Sequence, residues 1–186
     1  MKTVIVKDLM VPKSEYATIS EEANLFEAVT SLEEAQKKFD RSQYPHRAVL
    51  VFDKNSTIVG KLSMLDVLVA LEPKYGEMGE IKKFSTHGFS KEFILAIEEQ
   101  YRLWDKPLDD VCRKATGLKV QDCLTKPSAG EYVEEDASLS QAIHQLVIGC
   151  HQSLLVTSGE EIVGILRLTD VFDGLYQNMK NCCPLY

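Results

Sequence analysis

The sequence contains no apolar run long enough to cross a bilayer. Its first ten residues offer Val4-Ile5-Val6 before Lys7 and Asp8 interrupt, too short a stretch for the core of a secretory signal. Both absences lead to an expected cytoplasmic location. Positive charge is scarce: 21 Lys and Arg stand against 28 Asp and Glu, for a net charge of −7 at pH 7. A surface of that sign repels phosphate backbones, so neither nucleic acid nor a membrane is an expected partner. A local cationic spot still suffices for one small anion. Cysteine is sparse and odd in number. Cys112, Cys123, Cys150, Cys182 and Cys183 show no CxxC spacing, so neither a disulfide framework nor a zinc site is expected. Cys182-Cys183 is either a redox-active or metal-capturing pair or, the plainer reading, two reduced thiols in the tail. Catalytic signatures are missing too: there is no P-loop, no GxGxxG, no nucleophile elbow and no HExxH. The expectation is a non-enzyme with no metal and no catalytic cofactor. What remains is 186 residues, 45% hydrophobic and 26% charged, which is ordinary for a soluble globular protein and enough to bury a core.

What the chain does have is an internal repeat. Lys7-Asp8-Leu9-Met10 aligns with Gln121-Asp122-Cys123-Leu124, and at the same offset Ile19 meets Val133, Ala23 meets Ala137 and Leu25 meets Leu139. The offset then shortens. His46 meets His151, Val49-Leu50-Val51 meets Leu154-Leu155-Val156, Val59-Gly60 meets Val163-Gly164, and Asp66-Val67 meets Asp170-Val171. The first copy therefore carries extra residues near 36–44. Each copy reads as the same order of elements. Ala17-Thr18-Ile19 and Tyr132-Val133 form short strands. Helices follow, with Asn24 and Glu27, and Ser138 and Gln141, at the spacing of a capping box. Leu25, Ala28, Val29 and Leu32, and Leu139, Ala142, Ile143 and Leu146, then recur at i, i+3, i+4, i+7. Residues 48–52 and 58–62 flank Asp53-Lys54-Asn55-Ser56 and predict a hairpin, as do 154–157 and 162–166 around Ser158-Gly159-Glu160. A second helix starts near Ser63 and near Leu168.

The expected fold class is α+β: two β-α-β-β-α repeats related by a pseudo-twofold axis. Residues 1–72 make the first repeat, 73–117 an insertion that is partly helical, and 118–186 the second repeat with its tail. The insertion has Gly76, Gly79 and Gly88 in a loop. Ser90 then caps a helix carrying Phe93, Ile94, Ile97, Tyr101 and Trp104 on one stripe. That stripe is too apolar for a free linker and is expected to be buried on the module or on a partner. Residues 107–115 read as a shorter helix closed by Gly117.

The repeat, with Gly60-Lys61-Leu62-Ser63-Met64-Leu65-Asp66 at its end, resembles the cystathionine-beta-synthase-type (CBS) domain. The signature there is glycine, two apolar residues, serine or threonine, two variable residues and aspartate. Lys61 departs from it at an apolar position. The second copy, Gly164-Ile165-Leu166-Arg167-Leu168-Thr169-Asp170, departs at Arg167. His46-Arg47-Ala48-Val49-Leu50-Val51 is also similar to the gamma regulatory subunit of the AMP-activated kinase, where a His-Arg pair meets nucleotide phosphate. The resemblance implies a tandem pair, or Bateman module, and a disc-like homodimer. It implies a regulatory adenosyl ligand, AMP, ADP, ATP or S-adenosylmethionine, that changes conformation or the contact with an unknown target protein. The alternative is a ligand-free interaction module docking through the inter-repeat helix.

A carboxylate accepts both hydroxyls of a ribose, which gives Asp66 a ligand role. Ser63 shares its side of the helix start, where backbone N–H groups favour phosphate. The same Ser63-x-x-Asp66 spacing is that of a capping box, and the two roles are compatible. Asp170 holds the matching place in the second copy. Arg167 beside it clamps a phosphate, fills the sugar pocket or pairs with Asp170, and in the last case the second cleft is empty. Arg47 is either the phosphate-binding cation or a solvated group. His46 precedes it at a strand mouth, and His151 with Gln152 takes that place in the second copy without the cation. Thr18, Ile19 and Val133 are strand residues lining either the core or an adenine pocket. His144 falls on a polar helix face and His87 in the loop.

Overall fold

Short β-branched runs bounded by turn residues become strands here, and the capped amphipathic stretches between them become helices. The computed structural model describes residues 4–38, 45–77, 89–105 and 108–182. The first repeat holds β1 (Val11–Pro12), β2 (Thr18–Ser20), α1 (Leu25–Lys38), β3 (Ala48–Phe52), β4 (Ile58–Ser63) and α2 (Met64–Leu71). Between the repeats lie α3 (Lys74–Glu77), α4 (Lys91–Tyr101) and α5 (Leu108–Gly117). The second repeat follows with α6 (Val120–Cys123), β5 (Tyr132–Glu134), α7 (Leu139–Ile148), β6 (Ser153–Ser158), β7 (Glu161–Arg167) and α8 (Leu168–Cys182). Residues 39–44, Gly79, His87, Gly88, Pro107 and Cys183 lie outside the described residues. Among the described residues no helix is long and apolar enough to cross a membrane.

The two halves pair their strands alike. β2 runs parallel to β3 and β3 antiparallel to β4, and β5, β6 and β7 repeat this. Ile19 sits opposite Val51 and Val51 opposite Gly60; Val133 sits opposite Val156 and Val156 opposite Gly164. Both hairpins then slip register at the same place, between Val51 and Phe52 and between Val156 and Thr157. β1 joins the far edge of β7, with Val11 opposite Ile165, so the N-terminal arm extends the second repeat's sheet.

The segment leading into each repeat packs on the other one. The Val6 N–H donates to Ala137 O at 2.9 Å and the Lys7 N–H to Glu135 O at 2.8 Å. At the twin positions the Val120 N–H donates to Ala23 O at 2.9 Å and the Gln121 N–H to Glu21 O at 3.0 Å. Val6 is consequently buried with Val133, Ala142, Leu146, Leu154 and Leu166, and Val120 with Leu25, Ala28, Leu32, Val49 and Leu62. Burying each valine contributes about 1.5–3 kcal/mol. A third cluster joins the sheets. Val49 and Val51 point into the first repeat's core, while Leu50 between them meets Tyr16, Leu155 and Ile165. A strand covered on both faces reads as an unbroken apolar run, as Val49-Leu50-Val51 does.

α4 departs from expectation. Ser90 caps it, accepting the Phe93 N–H at 3.2 Å. Yet no α4 residue is buried, and Phe93, Ile94 and Leu95 are 42%, 53% and 52% exposed. The anchoring of this segment is polar and lies at the stripe's last residue and just beside it. The Trp104 N–H donates to the Glu72 carboxylate at 2.9 Å, its indole N–H to Tyr75 Oη at 3.0 Å, and Lys74 Nζ to Arg102 O at 2.7 Å. These bonds hold the helix by its C-terminal end.

Candidate functional site

β4 ends at Ser63 and β7 at Arg167, and α2 and α8 begin at the next residue in each case. Because the sheets pack through Leu50, Leu155 and Ile165, the two junctions share one cleft between the repeats. Its volume is about 580 Å³, the size of a small-molecule site. The first repeat lines it with Tyr16, Arg47, Lys61, Ser63, Leu65 and Asp66; the second with Glu131, Cys150, His151, Gln152, Ser153 and Arg167.

Around Ser63 the capping box is real. Asp66 Oδ2 accepts from the Ser63 N–H at 2.8 Å and from its hydroxyl at 2.6 Å, and the Asp66 N–H returns a bond to Ser63 Oγ at 3.2 Å. Both oxygens of a carboxylate accept hydrogen bonds, and Asp66 Oδ1 receives none among the described residues. Arg47 is exposed, with its Nη1 at 3.5 Å from Gln152 Oε1, the outer limit of a hydrogen bond. Its carbonyl accepts the Met64 N–H at 2.9 Å, which fixes the mouth of β3 against the start of α2.

Lys61 and Glu131 form an ion pair that sequence reasoning missed. Lys61 Nζ donates to Ser153 O at 2.6 Å and lies 3.2 Å from Glu131 Oε2. The lysine's departure from the expected apolar residue was a visible signal; its partner, on the other repeat, was not. Burial pushes the Glu131 carboxyl up, and the Ser128 N–H and the Lys61 ammonium outweigh this and hold it below the usual carboxylate range.

The other half of the cleft is built differently. Arg167 forks onto Asp170, with Nε to Oδ2 at 2.8 Å, Nη2 to Oδ1 at 2.5 Å and its backbone N–H to Oδ2 at 3.0 Å. Of the three roles open to Arg167, this is the ion pair. Next to it Tyr16 and His46 are buried edge to face, 4.2 Å between ring centroids. Burial pushes the Tyr16 hydroxyl up to about 12 against the pull of Arg167. Burial, reinforced by Arg167, pushes His46 down to about 4, so the ring is neutral at pH 7.

That corrects the reading of His46 as a group facing phosphate: at 1% exposed it belongs to the packing beneath the cleft. Its twin His151 does line the cleft. The difference traces to one residue. The twin of Tyr16 is Gly130, so no ring stands at that position in the second half, and a Cβ there would sit in ordinary contact with His151 Nε2 at 3.8 Å. Thr18 is exposed, Ile19 packs on the first core and Val133 is buried in the second; none of the three lines the cleft.

A family model of the CBS domain matches residues 6–73 and again residues 120–176. The chain belongs to the CBS domain family. Its two CBS repeats form the tandem pair of a Bateman module. Solved structures with the same CBS-pair fold include CBSX2 from Arabidopsis thaliana, 19% identical with a TM-score of 0.62, covering 97% of this chain and 99% of that one. CBSX2 in complex with AMP is 21% identical, with a TM-score of 0.57 and coverage of 94% and 97%. The CBS domain of the bacterial CNNM/CorC family Mg2+ transporter in complex with ATP is 15% identical, with a TM-score of 0.56 and coverage of 93% and 87%. No curated protein sequence matches the chain.

Proposed function

We propose that this CBS pair is a cytoplasmic regulatory module, without catalytic activity, that binds one adenine nucleotide in the half-cleft at Ser63 and Asp66. The observation that carries the reading is the second Asp66 oxygen, held beside a helix start in a cleft walled by both repeats. A ribose diol fits that acceptor, and the phosphate then lies toward the α2 N-terminus and Arg47. Similar CBS structures carrying AMP or ATP support an adenine ligand. Arg47 and Lys61 on the walls favour AMP, ADP or ATP over S-adenosylmethionine, whose sulfur is cationic. The Arg167–Asp170 fork and the Tyr16 ring fill the matching half, which favours one nucleotide per chain. A ligand that binds one inter-repeat geometry more tightly shifts the repeats toward it. The output is a changed outer surface on α2 and α8, where a second copy or a target protein docks. A pure interaction module is the second reading, favoured by the exposed Phe93, Ile94 and Leu95.

Melting curves and calorimetry with AMP, ADP, ATP and S-adenosylmethionine test this. A nucleotide at about a hundredfold its Kd stabilises by about 2.7 kcal/mol, several degrees for a chain of this size. Asp66→Asn keeps an acceptor for the Ser63 N–H but loses the charge, so affinity drops while the melting point of the free protein holds. Asp66→Ala is a poorer probe, because losing the capping box alone costs about 0.5–2 kcal/mol. A chain whose melting point no adenine compound moves at millimolar concentration is the interaction module instead.

A further inference from the structure

Lys61 stands where the fold needs no charge. Its twin is Ile165, fully buried between the sheets with Leu50 and Leu155, so an apolar side chain suits this register. An ammonium there requires a partner, because a buried unpaired charge is strongly disfavoured. Both of its partners come from the other repeat: Ser153 O at 2.6 Å and Glu131 Oε2 at 3.2 Å. The twins of Ser153 and Glu131 are Ala48 and Ala17, so the other half of the molecule has no equivalent clasp. Lys61 and Glu131 both line the cleft, and their side chains are 13% and 20% exposed. Lys61 and Ser63 are two residues apart on β4 and therefore share a face, about 6.6 Å from one another along the strand. A group bound beside Ser63 and Asp66 thus has Lys61 within reach of its far end.

We propose that Lys61 is a phosphate-binding residue held in reserve by Glu131, and that an anionic ligand group displaces Glu131 and so opens an ion pair between the repeats. The identity of the ligand as a nucleotide rests on the function proposed above; the exchange itself requires an anion of phosphate type. A phosphate oxygen satisfies the ammonium as the carboxylate did. His151 lines the same cleft and lies close enough to act on Glu131. Occupancy is thereby converted into a change in the contact between β4 and the turn before β5.

Calorimetry on four proteins, wild type, Lys61→Met, Lys61→Arg and Glu131→Gln, tests the exchange with adenosine, AMP, ATP and inorganic pyrophosphate. Adenosine affinity is expected to stay constant across the four. Glu131→Gln is expected to tighten the phosphate-bearing probes roughly tenfold, the scale of one charge-assisted bond. Lys61→Met, which takes the apolar character of its twin, is expected to cut the preference for AMP over adenosine roughly tenfold, the share of one charge-assisted bond, and Lys61→Arg to keep it. The proposal is overturned if Lys61→Met retains that preference in full, or if Glu131→Gln changes adenosine and AMP alike. Should no adenine compound bind while pyrophosphate does and depends on Lys61, the exchange stands and the nucleotide reading falls. Should pyrophosphate and nucleotides all fail to bind, both fall.

Discussion

A histidine that cannot charge when folded makes a protein sensitive to acid, and His46 is placed to do this. The unfolded chain protonates it near 6.5 and the folded chain near 4. Between those values the unfolded state holds the extra proton, so stability falls as pH drops from 6.5 toward 4 and the loss from this group levels off below. The interval corresponds to roughly 3 kcal/mol. Urea midpoints measured from pH 7 to pH 4 should decline less steeply in His46→Gln than in the wild type; parallel curves would mean that His46 titrates normally. Which residues of the site were readable depended on how far apart their partners lie in sequence. Ser63 with Asp66 and Arg167 with Asp170 are three residues apart, so helix geometry alone allowed the cap and the ion pair to be weighed. Tyr16 against His46, and Lys61 against Glu131, are set by how the chain returns on itself. The neighbours of His46 and His151 differ in Arg47 against Gln152 but do not foretell which ring is buried; that rests on Tyr16 and Gly130, far upstream of each.

Among the elements, α1 and α7 follow their sequence signals closely. The Asn24 N–H donates to Glu27 Oε2 at 2.8 Å and the Glu27 N–H returns to Asn24 Oδ1 at 2.9 Å, as a capping box requires. Ser138 accepts the Gln141 N–H at 3.3 Å and starts α7. The C-terminal end of α7 also shapes the cleft. Gly149 caps it, and the chain turns through Cys150 at φ 52° to bring His151 to the cleft. A Cβ at position 149 would fall 2.2 Å from His151 Nε2 and 2.8 Å from Gln145 O, so there is no space for a side chain. Gly149→Ala should therefore destabilise by about 1–3 kcal/mol and displace His151. At Gly117, where α5 ends, a Cβ would meet nothing within 4 Å, and Gly117→Ala should stay within about 0.5 kcal/mol of the wild type. Denaturant titrations of the two variants decide this, and equal losses would show that the crowding around His151 relaxes freely. For the α4 stripe, the structure overturns burial on the module and leaves burial on a partner as the expectation. Periodicity reveals that a helix has an apolar face, but not that the rest of the chain supplies a surface to cover it.

At the scale of the molecule, the repeat pattern foretold the same order of elements in both halves; the shared strand register, with its paired slip after Val51 and Val156, came only from the structure. The pattern was silent on the exchange of arms, because Val6 and Val120 are interchangeable in pattern and either core accepts either valine. It was equally silent on what the outer helices meet. α2 exposes Leu65 and Leu68 at 68% and 50%, and α8 exposes Phe172, Tyr176 and Met179 at 65%, 48% and 58%. Leu68 and Phe172 are twins, so the two helices present matching apolar positions about the pseudo-twofold axis. On α8 the exposed residues recur every three or four positions, the stripe of a helix that packs on another surface. A second copy turned face to face would cover both stripes at once, and a stable interface of this kind buries about 1,200–2,000 Å². Phe172→Glu places a charge on the stripe of α8 without touching Asp170 or the cleft. Light scattering should give about twice the chain mass for the wild type and 20.9 kDa for this variant. A wild type already monomeric at the same concentration would leave the stripes to a different protein, and Phe172→Glu would then disturb that contact rather than self-association.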